Sequence, residues 1–560
     1  MEEQNKNVEN QELEAENNET NIQTKKPIPK KTIIIASIVA AVAIIATIIC
    51  IILLGGKDTP SGNNPSENAP SNDNTSTETH TSYDAFNFYP QDDGTYIIAI
   101  GNGKYLSEII IPSTYNGGKV VGIADNGFSD CENLKSIIIP NGVKSIGSHA
   151  FNDCQELANI TIPNSVETIG GRAFARCKSL TNLIIPNGVT RIDSKAFASC
   201  WNLVSITLPV GITSIEEETF SGCNSLSNIT IPNGVTSIGY AAFSGCTSLI
   251  NVTMPNSLTT IGGSAFHRCE SLSNITIPDS VTDIGTSAFS GCTNLKNITI
   301  PNNITSIGSG SFYECNNLKY SEYNSACYLG NNINPYLILI KPQNTSITSC
   351  TIYENAKIIC ANAFEDCTNL ESVSIPDSVV SIGDSAFSGC TNLANVTIPN
   401  SITSIGNRVF EGCETFTNMT IPNSVIKVGS GTFSNCSNLI NVTLFNNITT
   451  ISDLMFYNCI NLTSITIPDS VISIGNSAFA QCERLETITI PESVTRIGSS
   501  VFYDCYSLNS VKFINPNGWQ YDLSNFSEDG TSIPNTYLSD PTTAAQYLRS
   551  DYLWYNLFRK

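Results

Sequence analysis

Twenty cysteines and three histidines give this 560-residue chain its widest chemical range. A thiol can bridge to another thiol, hold a metal as thiolate, or attack a carbonyl beside a histidine base. Their spacing argues against most of these uses. Sixteen of the cysteines recur every 23 residues, from Cys131 to Cys315 and again from Cys367 to Cys505. No C-x-x-C pair exists, and the histidines stand apart at His80, His149 and His267, so a zinc site of ordinary ligand spacing is not formed. A Cys-His dyad needs an accessible thiol, yet His267 adjoins Cys269, a member of the periodic series that is expected to be buried. There is no Gly-rich phosphate loop, no G-x-S-x-G and no H-E-x-x-H. Glu216, Glu217 and Glu218 cluster at a turn and are read as solvated. The sequence predicts no catalysis, no metal and no other cofactor.

Twenty cysteines outside a cell suggest disulfides. One per period leaves no partner within the period, however, and copies in adjacent periods point the same way. A bridge needs Cα atoms about 4.4 to 6.8 Å apart with converging Cβ vectors. A ladder of free cysteines packed as small apolar side chains is the favoured reading, with some bridged pairs as the alternative.

The element that must carry these cysteines is the unit Glu270 to Cys292, ESLSNITIPDSVTDIGTSAFSGC, with a phenylalanine three residues before each periodic cysteine. A fixed period of this length marks a solenoid, because one unit cannot bury its own apolar side without neighbours. Alternation in LSNITIP puts Ile275 and Ile277 on one face and Asn274 and Thr276 on the other, which predicts one short strand per coil. Pro278 ends that strand, since it lacks the amide donor a ladder needs. Val281 and Ile284 then line a returning wall, and Gly285 permits a close approach before A-F-x-x-C closes the coil as a short helical turn. The order L-x-x-I-x-I, V-x-x-I, A-F-x-x-C resembles the treponemal-type leucine-rich repeat of the BspA-like surface proteins, over roughly residues 100 to 513. The resemblance implies a curved, horseshoe-like repeat solenoid with a parallel β-sheet face and about 17 to 18 coils. It also implies a surface adhesin that binds host extracellular-matrix proteins or other cells.

Along the chain, residues 1–31 are polar and read as a disordered cytoplasmic tail. Residues 32–54, TIIIASIVAAVAIIATIICIILL, hold no charge and at about 1.5 Å per residue can cross a hydrocarbon core of about 30 Å. This predicts one transmembrane helix from Thr32 to Leu54. Lys25, Lys26, Lys30 and Lys31 precede it, so the amino terminus is expected in the cytoplasm and the repeats outside. A cleaved signal peptide is the alternative, although LLGGKD offers no small-x-small site. Residues 55–82 form a Ser/Asn/Pro-rich tether and 83–130 an N-terminal cap with an atypical first repeat. Regular repeats are expected over 131–318 and 361–513, and a C-terminal cap over 514–560, where Ser539-Asp540-Pro541 signals a helix start.

Between these arrays the period fails once. From Cys315 to Cys367 there are 52 residues, two periods and six more. Counting back from Cys367 places the cysteine register on Asn344, so one repeat over 319–360 has lost its A-F-x-x-C turn. In exchange it has gained ACYLGNNINPYLILIKP, read as two strands around an Asn-rich turn.

A net charge of −21 and a pI near 4.5 exclude the basic stripe that nucleic-acid binding requires. Binding is expected on the exposed strand face, where Asn159, Asn228, Asn251, Asn274 and Asn297 recur with Thr161, Thr230, Thr253, Thr276 and Thr299. At about 4.8 Å per coil these polar ladders would extend about 80 Å. The alternative is that they only satisfy one another and keep the face soluble. The interruption adds Tyr320, Tyr323, Tyr328 and Tyr336, either packing rings of the detour or anchors for a partner. The reading is a membrane-anchored, single-pass surface scaffold that binds an extracellular protein, or alternatively a structural, glycan-associated element.

Overall fold

The computed structural model describes residues 80–522, 531–551 and 556–559. The apolar stretch 32–54, the tail before it and the tether to residue 79 lie outside these residues. Among the described residues no helix is long and apolar enough to cross a membrane. The described residues fall within one compact unit.

Each coil carries two short parallel strands where the repeat pattern predicts one. In the representative unit they are Asn274–Thr276 and Asp283–Ile284. The second lies at the end of V-x-x-I, and it forms the longer ladders. Five strands run in register from Ser214–Ile215 through Ser237–Ile238, Thr260–Ile261 and Asp283–Ile284 to Ser306–Ile307. The Asn-x-Thr strands pair in short blocks instead, Asn228–Thr230 with Asn251–Thr253 and Asn274–Thr276 with Asn297–Thr299. A single sheet running the whole length is therefore not what the chain builds on that face.

The turn that closes each coil is not helical. In the coil of Phe151, the amides of His149, Phe151 and Asp153 donate forward to the carbonyls of Gly171, Ala173 and Ala175 in the next coil. His149 and Asp153 have φ of 57° and 60°. Residues two before and two after the phenylalanine thus sit in the left-handed region, which interrupts any right-handed helix. The turn spends its donors on its neighbour, and this locks coil to coil.

Glycine before the turn follows from that closeness. A Cβ on Gly285 would lie 2.4 Å from the Gly263 nitrogen and 2.7 Å from the Gly262 carbonyl carbon of the preceding coil. Asp193, Glu216, Cys360 and Ser452 occupy the same position elsewhere, so the approach varies locally.

Inside, the phenylalanines form a stacked column. Phe128 to Phe289 follow one another at 5.2 to 5.6 Å between ring centroids. Phe364 to Phe502 repeat the arrangement at 5.3 to 5.9 Å. All described cysteines are free and buried. Every periodic thiol except Cys131 and Cys367, which have no phenylalanine turn in the coil before them, donates to the phenylalanine carbonyl of the preceding coil, as Cys246 Sγ does to Phe220 O at 3.2 Å. That carbonyl also accepts the Cys223 amide at 3.1 Å. A cysteine is small enough for the column and still supplies a donor, which alanine cannot.

The ends are capped by departures from the repeat. At the front, Phe86–Pro90 pairs antiparallel with Tyr96–Ile100, which joins the Ser-Ile ladder through Gly118–Ile123. Phe88 stacks on Tyr115 at 3.7 Å and Phe86 meets Phe128 edge-on, so the aromatic column is covered. At the far end Asn556–Arg559 lies between Arg496–Ile497 and Trp519–Asp522, antiparallel to both. The helix Pro541–Gln546 is capped by Asp540, which accepts from Thr543 N and Thr543 Oγ1.

Candidate binding surface

The Asn-x-Thr face is exposed at its polar positions and buried between them, as in Asn228, Ile229 and Thr230. Its asparagines are partly used up by one another. Asn251 Nδ2 donates to Asn228 Oδ1 at 2.8 Å, and Asn297 Nδ2 to Asn274 Oδ1 at 2.7 Å. The linked pairs are the same coil pairs whose backbones bond, so side chain and strand reinforce each other. Asn159 is exposed and has no such partner among the described residues. The hydroxyls of Thr161, Thr230, Thr253 and Thr276 donate no side-chain hydrogen bond among the described residues and face solvent. Thr299 is half-buried beside the interruption. The face offers outward hydroxyls and fixed amides, a surface suited to many weak polar contacts.

Two apolar side chains break this face that the repeat pattern does not single out. Ile138 and Ile184 stand in the threonine position and are 54% and 68% exposed. Ile184 with Thr161, Asn164, Asn182 and Thr207 lines a groove between coils. The readable signal was the loss of threonine at those two positions.

At the interruption the two predicted strands are Ala326–Leu329 and Ile338–Pro342, antiparallel, joined on one edge by a third, Ser321–Tyr323. Asn331 Oδ1 accepts from the amides of Ile333 and Asn334 and so ties the turn. Ile338–Pro342 pairs parallel with Ile358–Ile359 and so supplies the strand of the interrupted coil in the second ladder, while Ser306–Ile307 ends the first. The inserted strands partition the core. Leu329, Ile338 and Ile358 pack toward the first array, while Ala326, Tyr328, Leu339 and Ile359 pack toward the second.

This partition separates the four candidate tyrosines. Tyr328 is fully buried, and its hydroxyl accepts the Tyr353 amide at 3.3 Å. Burial pushes its phenol well up, and no partner can reach it, so it is a packing ring. Tyr320 is half-buried with Lys341 Nζ 5.0 Å above its ring, and burial raises it to about 12. Tyr323 is exposed and meets Tyr336 and Tyr353 at 5.8 and 5.2 Å. Tyr336 and Tyr353 are 4.7 Å apart. Tyr353 was not among the sequence candidates, although it occupies the position of the strand-ending proline in other coils. The chain thus brings Tyr323, Tyr336 and Tyr353 into one cluster, and keeps Tyr328 beneath it.

Reactive groups elsewhere are closed off. Cys269 beside His267 is fully buried, its Sγ donates to Phe243 O at 3.3 Å, and burial raises its thiol well above the ordinary value of 9.0. Lys195 lies 3.4 Å from Glu217 and 3.2 Å from Glu218, an exposed surface pairing. Among the described residues no group of three metal-ligating side chains converges.

Comparison with known proteins agrees with the repeat. A family model described as a BspA type leucine rich repeat region of six copies matches residues 121–246, 213–336, 343–459 and 403–528. A leucine-rich repeat protein from Bacteroides ovatus is 29% identical, with 69% of this chain and 99% of that one covered and a TM-score of 0.39. A leucine rich cell surface protein from Faecalibacterium prausnitzii is 30% identical over 78% of this chain and 96% of that one, with a TM-score of 0.32. A T. pallidum leucine rich repeat protein is 27% identical over 43% and 91%, with a TM-score of 0.28. No curated protein matches.

Proposed function

The chain belongs to the BspA-type leucine-rich repeat family, and from that premise we propose that it is a non-catalytic, membrane-anchored surface scaffold that binds an extracellular protein. The observation that carries this is the contrast between its two kinds of surface. The Asn-x-Thr face repeats the same hydroxyls and amides coil after coil, while distinctive side chains gather at the interruption and at Ile138 and Ile184. A specific protein contact needs distinctive rings and apolar anchors surrounded by tolerant polar contacts, and tyrosine is enriched among such anchors. Tyr323, with Tyr336 and Tyr353 behind it, supplies the anchor in this reading. The neighbouring threonines supply the rim.

Anchoring rests on the uncharged stretch Thr32 to Leu54 and on the lysines before it, which favour an amino terminus inside and repeats outside. Protease applied to intact cells tests this, because it should remove the array and leave the amino terminus intact. Tyr323→Ser should weaken capture of an extracellular-matrix protein at unchanged melting temperature. A capture that survives this change but fails with Ile184→Asp moves the contact to the groove of the first array.

A further inference from the structure

The interruption leaves a slot in the wall of turns. In every regular coil that another regular coil follows, the amides two before, at, and two after the phenylalanine donate to three carbonyls of the next coil. For Phe289 these are Ser287 to Ser309, Phe289 to Ser311 and Gly291 to Tyr313, at 2.8 to 2.9 Å. The equivalent donors of the next coil are the amides of Gly310, Phe312 and Glu314, and among the described residues they make no such bond. On the far side, the carbonyls of Ala361, Ala363 and Glu365 occupy the accepting register and receive no such bond either. One wall therefore presents three donors and the other three acceptors. The missing A-F-x-x-C turn is what would join them.

The apolar column records the same gap. Phe312 stacks on Phe289 at 6.0 Å, and unlike Phe289 and Phe364, which are fully buried, it remains half-buried. Between the walls is a cavity of ≈ 560 Å³ lined by Phe312, Cys315, Tyr320, Ile340, Cys360 and Ala361. Two side-chain bonds span between the two coils, Ser309 Oγ to Asn362 Oδ1 at 3.3 Å and Lys357 Nζ to Asn302 O at 2.8 Å. The cavity thus joins apolar side chains with Ser311, Lys341 and Asn362, and is bounded by backbone donors and acceptors that lack an inter-coil partner among the described residues.

We propose that this slot is a binding site for a turn of another polypeptide that carries a large apolar side chain. The chain itself shows which occupant fits, because walls of the same register grip an A-F-x-x-C turn at every regular coil. A bound turn would donate to Ala361, Ala363 and Glu365, accept from Gly310, Phe312 and Glu314, and place its ring against Phe312. This is strand-addition chemistry applied to a wall of turns: backbone bonds provide affinity and one pocket selects the side chain. The inference rests on the scaffold reading only in that the partner is a polypeptide.

The probe is a fluorescent peptide of residues 285–293, GTSAFSGCT, titrated against the full chain and read by anisotropy. Saturable binding is expected, weakened at least tenfold by Phe289→Ser in the peptide or by methylation of that residue's backbone nitrogen. In the chain, Ala361→Trp on the wall should weaken it at least tenfold at unchanged melting temperature. Glu365→Trp, at an exposed rim position, provides the same reading if the first variant folds poorly. Absence of saturable binding, equal binding of the Ser peptide, or binding indifferent to both tryptophans would overturn the assignment. Concentration-dependent dimerisation abolished by Ala361→Trp would give the slot to a second copy and overturn it too. Because the peptide assay uses no matrix protein, its failure leaves the matrix-binding proposal standing, and a failed matrix screen leaves the slot standing.

Discussion

Replacing Phe243 and Phe312 separately by alanine tests whether the aromatic column is continuous through the array and open at the interruption. Phe243 is fully buried between Phe220 at 5.4 Å and Phe266 at 5.3 Å, with interplanar angles of 12° and 7°. Phe→Ala in a packed core costs about 3 to 5 kcal/mol, within which two stacks of about 0.5 to 1.5 kcal/mol each are lost. Phe312 keeps one stack, at 6.0 Å, and is half-buried. Its removal should cost about half as much, about 1.5 to 2.5 kcal/mol. The difference, about 2 kcal/mol, is roughly thirtyfold in a local opening constant, and in a solenoid the effect should stay near the altered coil. Hydrogen exchange of the inter-coil amides of Ala241, Phe243 and Gly245 reads the first variant, with urea unfolding as a check. An equal cost at the two positions, or less than about 1 kcal/mol for Phe243→Ala, would contradict a column that is continuous at Phe243 and open at Phe312.

Three further outcomes are expected. Burial raises the thiols of Cys200 and Cys246 to about 12, above their ordinary 9.0, so the folded chain holds these protons more tightly than the unfolded one. Their contribution to stability is complete below pH 9 and is lost as pH rises toward 12, and a urea midpoint that stays flat across that window would contradict it. Tyr328→Ser should destabilise strongly, by about 3 kcal/mol or more in thermal unfolding, whereas exposed Tyr323→Ser should change it by less than about 0.5 kcal/mol. Asn251→Ala removes the 2.8 Å bond to Asn228 from an exposed position, and a urea midpoint should report a loss of only about 0.5 to 1 kcal/mol.

Much of the architecture is legible in the 23-residue period, because Phe and Cys at fixed offsets can only be buried by stacking. The strand Asn274–Thr276 and the hairpin of the interruption follow from alternation and from an Asn-rich turn. The second strand, Asp283–Ile284, does not, since two residues carry no periodicity of their own and are ordered by the neighbouring coil. The turn read as helical fails for a similar reason. His149 and Asp153 adopt positive φ because the forward bonds to Gly171 and Ala175 demand it, and a local pattern of A-F-x-x-C does not display that demand. Among the site residues, the exposure of Asn228 and Thr230 was readable from alternation. The burial of Tyr328 was not, because its side is decided by which of two cores the inserted strand faces.

The repeat array is proposed to work as a protein-binding scaffold whose specificity sits where the repeat chemistry breaks, at the Tyr323 cluster of the interruption and at Ile184 in the threonine ladder. The most direct test of this is quantitative binding of the full chain and of a Tyr323→Ser, Ile184→Asp double variant to a panel of extracellular-matrix proteins and polysaccharides. Saturable binding to at least one protein is expected, weakened at least tenfold by the double variant at unchanged melting temperature. Binding confined to polysaccharides, or protein binding that the double variant leaves intact, would contradict it.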